Sequence, residues 1–388
     1  ADYLEARDRV LGVAREAARR PQLASADEVM RPLAPRSPGR VAEACSGRPW
    51  PDGEPLTLAQ SINLALADCL EHVPETLVFG EDVAVKGGVY GVTRGLRGRF
   101  GAGRVFDTLL DETSILGLAL GAALSGFVPI PEIQYLAYLH NAEDQLRGEA
   151  ATLQFFSQGQ YRNGLVVRIQ GFGYQKGFGG HFHNDDSVAV LRDIPGIVIA
   201  SPARPDDAAP MLRSCVAAAR EDGSVCAFLE PIALYHTRDL HGEGDGRWLA
   251  RPGEAHVPLG SARVYGDGSD LTMLTWGNGL YMSLRVAQRL ETAGFGVRIV
   301  DLRWLAPLPV EDIAEQAAAT GRALVVDETR RTGGVAETVV ATLVDLGFDG
   351  PLARVTSKDS FVPLGSAASL VLLAEGEIEE AALRLLGE

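Results

Sequence analysis

VFDTLLDETSILGLALGAALSGF, residues 105–127, runs from a short β-prone segment through two adjacent carboxylates, Asp111 and Glu112, into a stretch of Ile, Leu, Ala and Gly without a polar face. A helix of that composition is expected to be buried, either in a core or at a subunit interface. Gly117, Gly121 and Ser125 recur at i, i+4 and i+8, so one stripe is small enough to let another backbone approach closely. Asp111 or Thr113 would cap the helix and complement its dipole. A cap needs one short side chain, however, and Glu112 is a longer acid beside it. It stands at a strand-to-helix corner, where open α/β sheets place their ligands.

Outward from this stretch the pattern alternates. On its N-terminal side lie a helix, LAQSINLALADCLEHV, a strand, TLVFGED, a glycine-rich loop, KGGVYGVTRGLRGRFG, and a strand, RVFDTL. On its C-terminal side come the strand FVPIPEIQ, a helix through Ala150, and the strand GLVVRIQG. A second glycine-rich loop, GFGYQKGFGGHFHNDDS, then leads to the strand GIVIASP, the helix RPDDAAPMLRSCVAAARE and the strand CAFLEP. This predicts an α/β fold of βαβ units around a parallel sheet buried on both faces. The polar, Gly- and Pro-rich segment 239–258 reads as a boundary. Beyond it DLTMLTWG, LYMSLRVAQRLETAG, GVRIVDLR, ALVVDE and GVAETVVATLVDLG form a second, smaller α/β domain. The expected organisation is an N-terminal helix and linker over 1–54, detachable from the rest, a first domain over 55–238, a linker over 239–258 and a second domain over 259–388.

A chain of 388 residues that is 46% hydrophobic is too long for one typical core, which also favours two domains. The net charge of −15 leaves no basic face for a phosphate backbone, so neither nucleic acid nor an anionic membrane is an expected partner. The longest apolar stretch, 115–131, contains Pro129 and several glycines and reads better as a helix followed by a strand than as a membrane span. Cys45, Cys69, Cys215 and Cys226 lie far apart without a CxxC pair, which matches neither a zinc site nor a disulfide framework. A reducing cytoplasm is the expected location, and the charged N-terminus does not read as a signal peptide.

Two further motifs invite a chemical reading. His181 and His183, two apart in GGHFHNDDS, would point to opposite sides of an extended backbone. They are equally readable as histidines of a solvated loop. No supporting ligands make them a zinc site, so no metal ligands are assigned. Gly266–Asp267–Gly268 precedes a strand instead of following one and reads as a turn. No P-loop, G-x-S-x-G elbow or HExxH helix is present.

Taken in order, FGEDV (79–83), GGVYGVTRGL (87–96), RVFDT (104–108), Asp111–Glu112 with the apolar helix, PEIQY (131–135), EDQL (143–146) and GGHFH (179–183) resemble one family. VRIVDLRWLAPLP, VVDETRRTGG and FVPLG continue the likeness to the C-terminus. The family is the transketolase-like β subunit of the thiamine diphosphate-dependent E1 component of 2-oxoacid dehydrogenase complexes, and the likeness covers about residues 56–388. It implies a transketolase-like pyrimidine-binding domain followed by a transketolase-like C-terminal domain. The N-terminal segment is similar to the tail of an E1 α subunit, which implies the C-terminal part of a fused α–β polypeptide.

The resemblance implies that Glu112 hydrogen-bonds the cofactor's aminopyrimidine and stabilises its imino tautomer. It makes Tyr138 a packing partner of that ring and His183 the histidine that assists decarboxylation or acyl transfer. The family's HSQ reads HND here. Gln134 and Glu81 fall at motif positions with weaker claims. Mg²⁺ and the diphosphate would be held by the α portion, and a monovalent cation is a further implied ligand. The implied partners are the α portion, a second β chain and a lipoyl-bearing E2. The implied reaction is oxidative decarboxylation of pyruvate or a branched-chain 2-oxoacid with acylation of lipoate, a reaction in which this chain alone is inactive. The alternatives are a non-catalytic assembly and E2-binding fragment, or another transketolase-like enzyme. The latter should carry a basic phosphate-binding cluster near the site, and none is visible.

Overall fold

The computed structural model describes residues 1–388 apart from Pro35, Lys176 and Phe178. Among the described residues, twelve strands form two sheets. In chain order they are β1 (Thr76–Gly80), β2 (Val105–Asp107), β3 (Val128–Ile133), β4 (Leu165–Gly171), β5 (Val198–Ala200), β6 (Val225–Pro231), β7 (Arg263–Tyr265), β8 (Leu271–Thr275), β9 (Val297–Asp301), β10 (Trp304–Ala306), β11 (Ala323–Arg330) and β12 (Leu352–Ser357). The first sheet has the order β10-β5-β6-β4-β3-β1-β2 and the second β12-β11-β8-β9-β7. Both are parallel except at one edge each, where β10 pairs antiparallel with β5 and β7 with β9. Strands β1, β3, β4 and β6 are buried along their whole length, as expected where helices cover both faces. The two-domain α/β architecture is therefore present, with the first sheet completed by a strand from the second half of the chain.

The helix Glu112–Leu124 is not buried all round. Glu112, Ile115, Leu116, Ala119 and Ala123 face the protein, whereas Gly117, Leu118, Gly121 and Leu124 are exposed. Apolar composition alone cannot distinguish a core helix from one whose second face awaits another chain. The N-terminal segment departs from expectation in the other direction. The helix Asp2–Ala17 buries nothing, but the helix Pro38–Cys45 inserts Val41 and Cys45 into the core. Trp50 lies with its ring 3.4 Å from the Arg213 guanidinium and donates through Nε1 to the Glu254 carbonyl at 2.7 Å. Residues 38–50 are thus part of the first domain's packing and are not detachable from it. All four cysteines are free and buried. No helix among the described residues is long and apolar enough to cross a membrane.

The two halves are joined by charge as well as by β10. Arg303 meets Asp207 at 2.9 Å, and Arg263 meets Asp206 and Asp207 at 2.8 and 3.0 Å. Asp301, at the end of β9, is fully buried beside them, and its Oδ2 has no partner. Burial first, and the Asp207 charge second, push its pKa up to about 7. An unfolded aspartate titrates near about 3.9, so the folded chain holds this proton more tightly. The stability it confers is fully present below the unfolded value and is lost as pH rises through about 7. Glu328, raised by burial to about 8, acts in the same direction. The melting temperature is accordingly expected to fall between about pH 5 and about pH 8, and Asp301→Asn to make that fall shallower. Scanning calorimetry across the range checks this, and an unchanged slope in the variant would remove Asp301 from the account.

Candidate active site

The candidate residues gather beyond the carboxyl ends of the parallel strands. Glu81 follows β1, the helix Glu112–Leu124 comes after β2, Gln134 follows β3, and the loop containing His183 follows β4. That is the edge where an open α/β sheet offers a crevice.

At the helix start the structure separates two roles that the sequence left open. Asp111 is the cap, and its carboxylate accepts from the Ser114 amide at 3.2 Å. Thr113 does not cap, because its hydroxyl donates to the Asn141 carbonyl at 2.8 Å. Glu112 is left free of backbone duty, only 7% exposed, and accepts one long bond of 3.4 Å from Asn141 Nδ2. A buried carboxylate with so little local engagement has capacity for another donor. Glu81 lies in the same field, and its pKa is raised by burial, by Asp82 and by Glu112.

Opposite the acids stands an aromatic group. Tyr138, from the short helix Leu136–Leu139, places its hydroxyl 3.3 Å from His183 Nε2. The Tyr135 ring meets the His183 ring edge-on at 4.8 Å and the Tyr138 ring at 5.3 Å. Tyr90 closes the row, with its hydroxyl 3.0 Å from that of Tyr135. The Tyr138 hydroxyl is held above its usual pKa by burial, then by Tyr135, Glu112 and Glu81, so it stays protonated beside the histidine. Among the described residues, two buried nitrogens here have no partner: Gln134 Nε2 and His183 Nδ1.

The loop that carries His183 is pinned by its neighbour. Asn184 Oδ1 accepts from Gln175 Nε2 at 2.8 Å and from the Gly179 amide at 2.9 Å, and its Nδ2 donates to the Gly173 carbonyl at 2.9 Å. Residues 181–183 form a turn instead of an extended run. The two histidines still part company, since His181 stacks against Phe182 and Phe361 while His183 joins the tyrosines. Lys176 and Phe178 of this loop lie outside the described residues. Gly266–Gly268 lie in the connection from β7 to β8, both strands of the second sheet, with Gly266 at a positive φ of 74°.

Tyr138 and His183 thus touch, Glu112 is close enough to act on the Tyr138 hydroxyl, and Gln134 follows β3 at the same sheet edge. Sequence reasoning overlooked Tyr90, Tyr135 and Asn141 as site residues, although PEIQY and GGVYGV contain the two tyrosines. Among the described residues no group of three or more His, Cys, Asp or Glu is placed to hold a metal ion. The set of a buried acid, an aromatic wall and two unsatisfied buried nitrogens fits a flat, nitrogen-bearing heterocycle that offers both donors and acceptors.

Comparison with known proteins is consistent with this geometry. Residues 54–237 match the family model "Transketolase, pyrimidine binding domain", and residues 260–375 match "Transketolase, C-terminal domain". The chain is 34% identical over 339 residues to the pyruvate dehydrogenase E1 component subunit beta of Bacillus subtilis (strain 168), an alignment covering 85% of this chain and 98% of that protein. It is 35% identical over 335 residues to the subunit of the same name from Staphylococcus epidermidis, covering 84% and 97%. Among solved structures, a split-gene transketolase described as an inactive β4 tetramer superposes with a TM-score of 0.68. At 17% identity, over 86% of this chain and 99% of that one, the likeness speaks to the fold alone.

Proposed function

The chain belongs to the family of transketolase-type pyruvate dehydrogenase E1 β subunits, and on that premise we propose that it supplies the pyrimidine-binding half of a thiamine diphosphate site. With an α portion it forms a 2-oxoacid dehydrogenase component that decarboxylates pyruvate or a short branched-chain 2-oxoacid and passes the acyl group to lipoate on an E2 partner. The observation that carries this reading is Glu112, a buried acid that Asp111 releases from capping, at the start of the helix that follows β2.

Thiamine diphosphate, when bound, supplies the carbon nucleophile and the electron sink of the reaction. The protein's part is narrower. Glu112 holds or gives a proton at a ring nitrogen of the pyrimidine, while Tyr138 and Tyr135 wall the ring and keep water away. Gln134 Nε2 offers a donor to the ring's edge. His183, with Nε2 at the Tyr138 hydroxyl and Nδ1 unengaged, is the group assigned to proton transfer at the acyl end of the substrate. The α portion is assigned the diphosphate and Mg²⁺, and self-association is assigned to the open face of the helix Glu112–Leu124, where Leu118 and Leu124 are exposed. The four buried free thiols support work in a reducing cytoplasm.

The first test is titration calorimetry of thiamine diphosphate with Mg²⁺ against the chain alone and against the chain with an α portion. Binding is expected only with the α portion. Tight binding to the chain alone would overturn the half-site assignment. Decarboxylation assays with pyruvate and with branched-chain 2-oxoacids on the assembled protein then choose the substrate.

A further inference from the structure

The His183 loop is also held by a side chain from the second domain. Asp185, two residues after His183 and buried, receives Arg330 Nη2 at 2.8 Å and lies 3.3 Å from His140 Nε2. Arg330 sits at the end of β11 and also donates to the Ser187 hydroxyl at 3.0 Å and meets Asp186 at 3.2 Å. On the other side, His140 is followed by Asn141, which donates to Glu112 and accepts from Thr113. A run of contacts therefore leads from β11 of the second sheet, through Asp185 and the turn His140–Asn141, to the carboxylate at the helix start.

We propose that Asp185, clasped between Arg330 and His140, is a positioning residue that fixes the His183 loop in register with Glu112. The inference rests on the roles given above to Glu112 and His183. Its physical basis is the loop itself. Residues 171–180 contain five glycines, and ordering such a segment costs more backbone entropy than ordering a glycine-free one of the same length. Asn184 holds one side of the loop through neutral hydrogen bonds. Asp185 adds charge-assisted ones, which are about twice as strong. Burial alone would raise the Asp185 pKa. Hydrogen bonds from His140, Ser187 and Arg330 outweigh it and hold the carboxyl well below the usual carboxylate range, as a continuously ionised clasp requires.

The test uses the full chain, alone and assembled with an α portion, carrying Asp185→Asn, Arg330→Lys, His140→Ala or His140→Gln. In the chain alone, Asp185→Asn is expected to speed amide exchange at residues 179–187 about tenfold while leaving β4 and β6 protected. In the assembled enzyme it should lower kcat by roughly 10- to 100-fold with KM for the 2-oxoacid little changed. Arg330→Lys, with one point donor in place of a fork, should do both to a smaller degree. His140→Gln keeps a donor toward Asp185 and should restore most of what His140→Ala loses. Wild-type exchange at 179–187 in Asp185→Asn would overturn the proposal, as would a loss of kcat that only follows the fraction of unfolded chain. An inactive wild-type assembly would instead count against the function proposed above, and the exchange measurement on the chain alone would still decide whether the clasp exists.

Discussion

Glu112→Gln lowers the turnover of the assembled enzyme by roughly 10²- to 10⁴-fold, the range expected when a positioned acid or base is removed, and leaves folding and assembly near normal. The second half of that expectation follows from local structure. Asp111, not Glu112, satisfies the helix N-terminus, and a glutamine can still accept from Asn141. The variant therefore removes the carboxyl group without disturbing the cap. Steady-state kinetics beside thermal melts separate the two effects. Unchanged turnover in a correctly assembled variant would remove the proton role from Glu112 altogether.

Arg168→Met is expected to cost about 3–5 kcal/mol, the penalty for breaking a buried ion group by removing one partner. Arg168 lies in the middle of β4 with no solvent exposure. Its Nη1 meets Glu132 of β3 at 2.6 Å, and its Nε and Nη2 meet Glu230 of β6 at 2.6 and 2.7 Å. The Tyr235 hydroxyl completes the group on Glu230. Burial alone would lower the guanidinium pKa, but the two carboxylates outweigh it and hold the arginine charged. Without it, two carboxylates are stranded in the centre of the sheet. Urea denaturation should show the loss as a lower midpoint, and adding Glu132→Gln with Glu230→Leu should recover much of it, because well-packed neutral groups often do as well as a buried pair. A single variant as stable as the parent would mean that water already reaches the group.

This triad also shows where sequence reading ends. GLVVRIQG reads as a buried strand because of its β-branched run, yet nothing near Arg168 names its partners, which lie 36 and 62 residues away in the chain. Local pattern gave the alternation of strands and helices. It missed β10, three residues inside VRIVDLRWLAPLP, because joining a distant sheet leaves no periodic mark. It misjudged residues 38–50, whose loop-like composition hides the docking of Val41, Cys45 and Trp50. In the site, Glu112 and His183 stand out through motif order. Tyr90, Asn141 and Asp185 matter through contacts that only the folded chain creates.

The placement of β10 bears on how the site can open. Backbone pairing of Trp304 with Ala200 ties the second half of the chain into the first sheet, and the Ser201 amide donates to the Arg303 carbonyl at 2.8 Å beside it. A hinge between the domains would have to tear a strand from its sheet, and unpaired buried backbone groups make that costly. The two lobes are therefore expected to move as one piece, which leaves the loops as the parts free to shift. For the same reason, a gene divided within 239–258 would yield a first fragment with β5 as a bare edge, ready to capture any free strand.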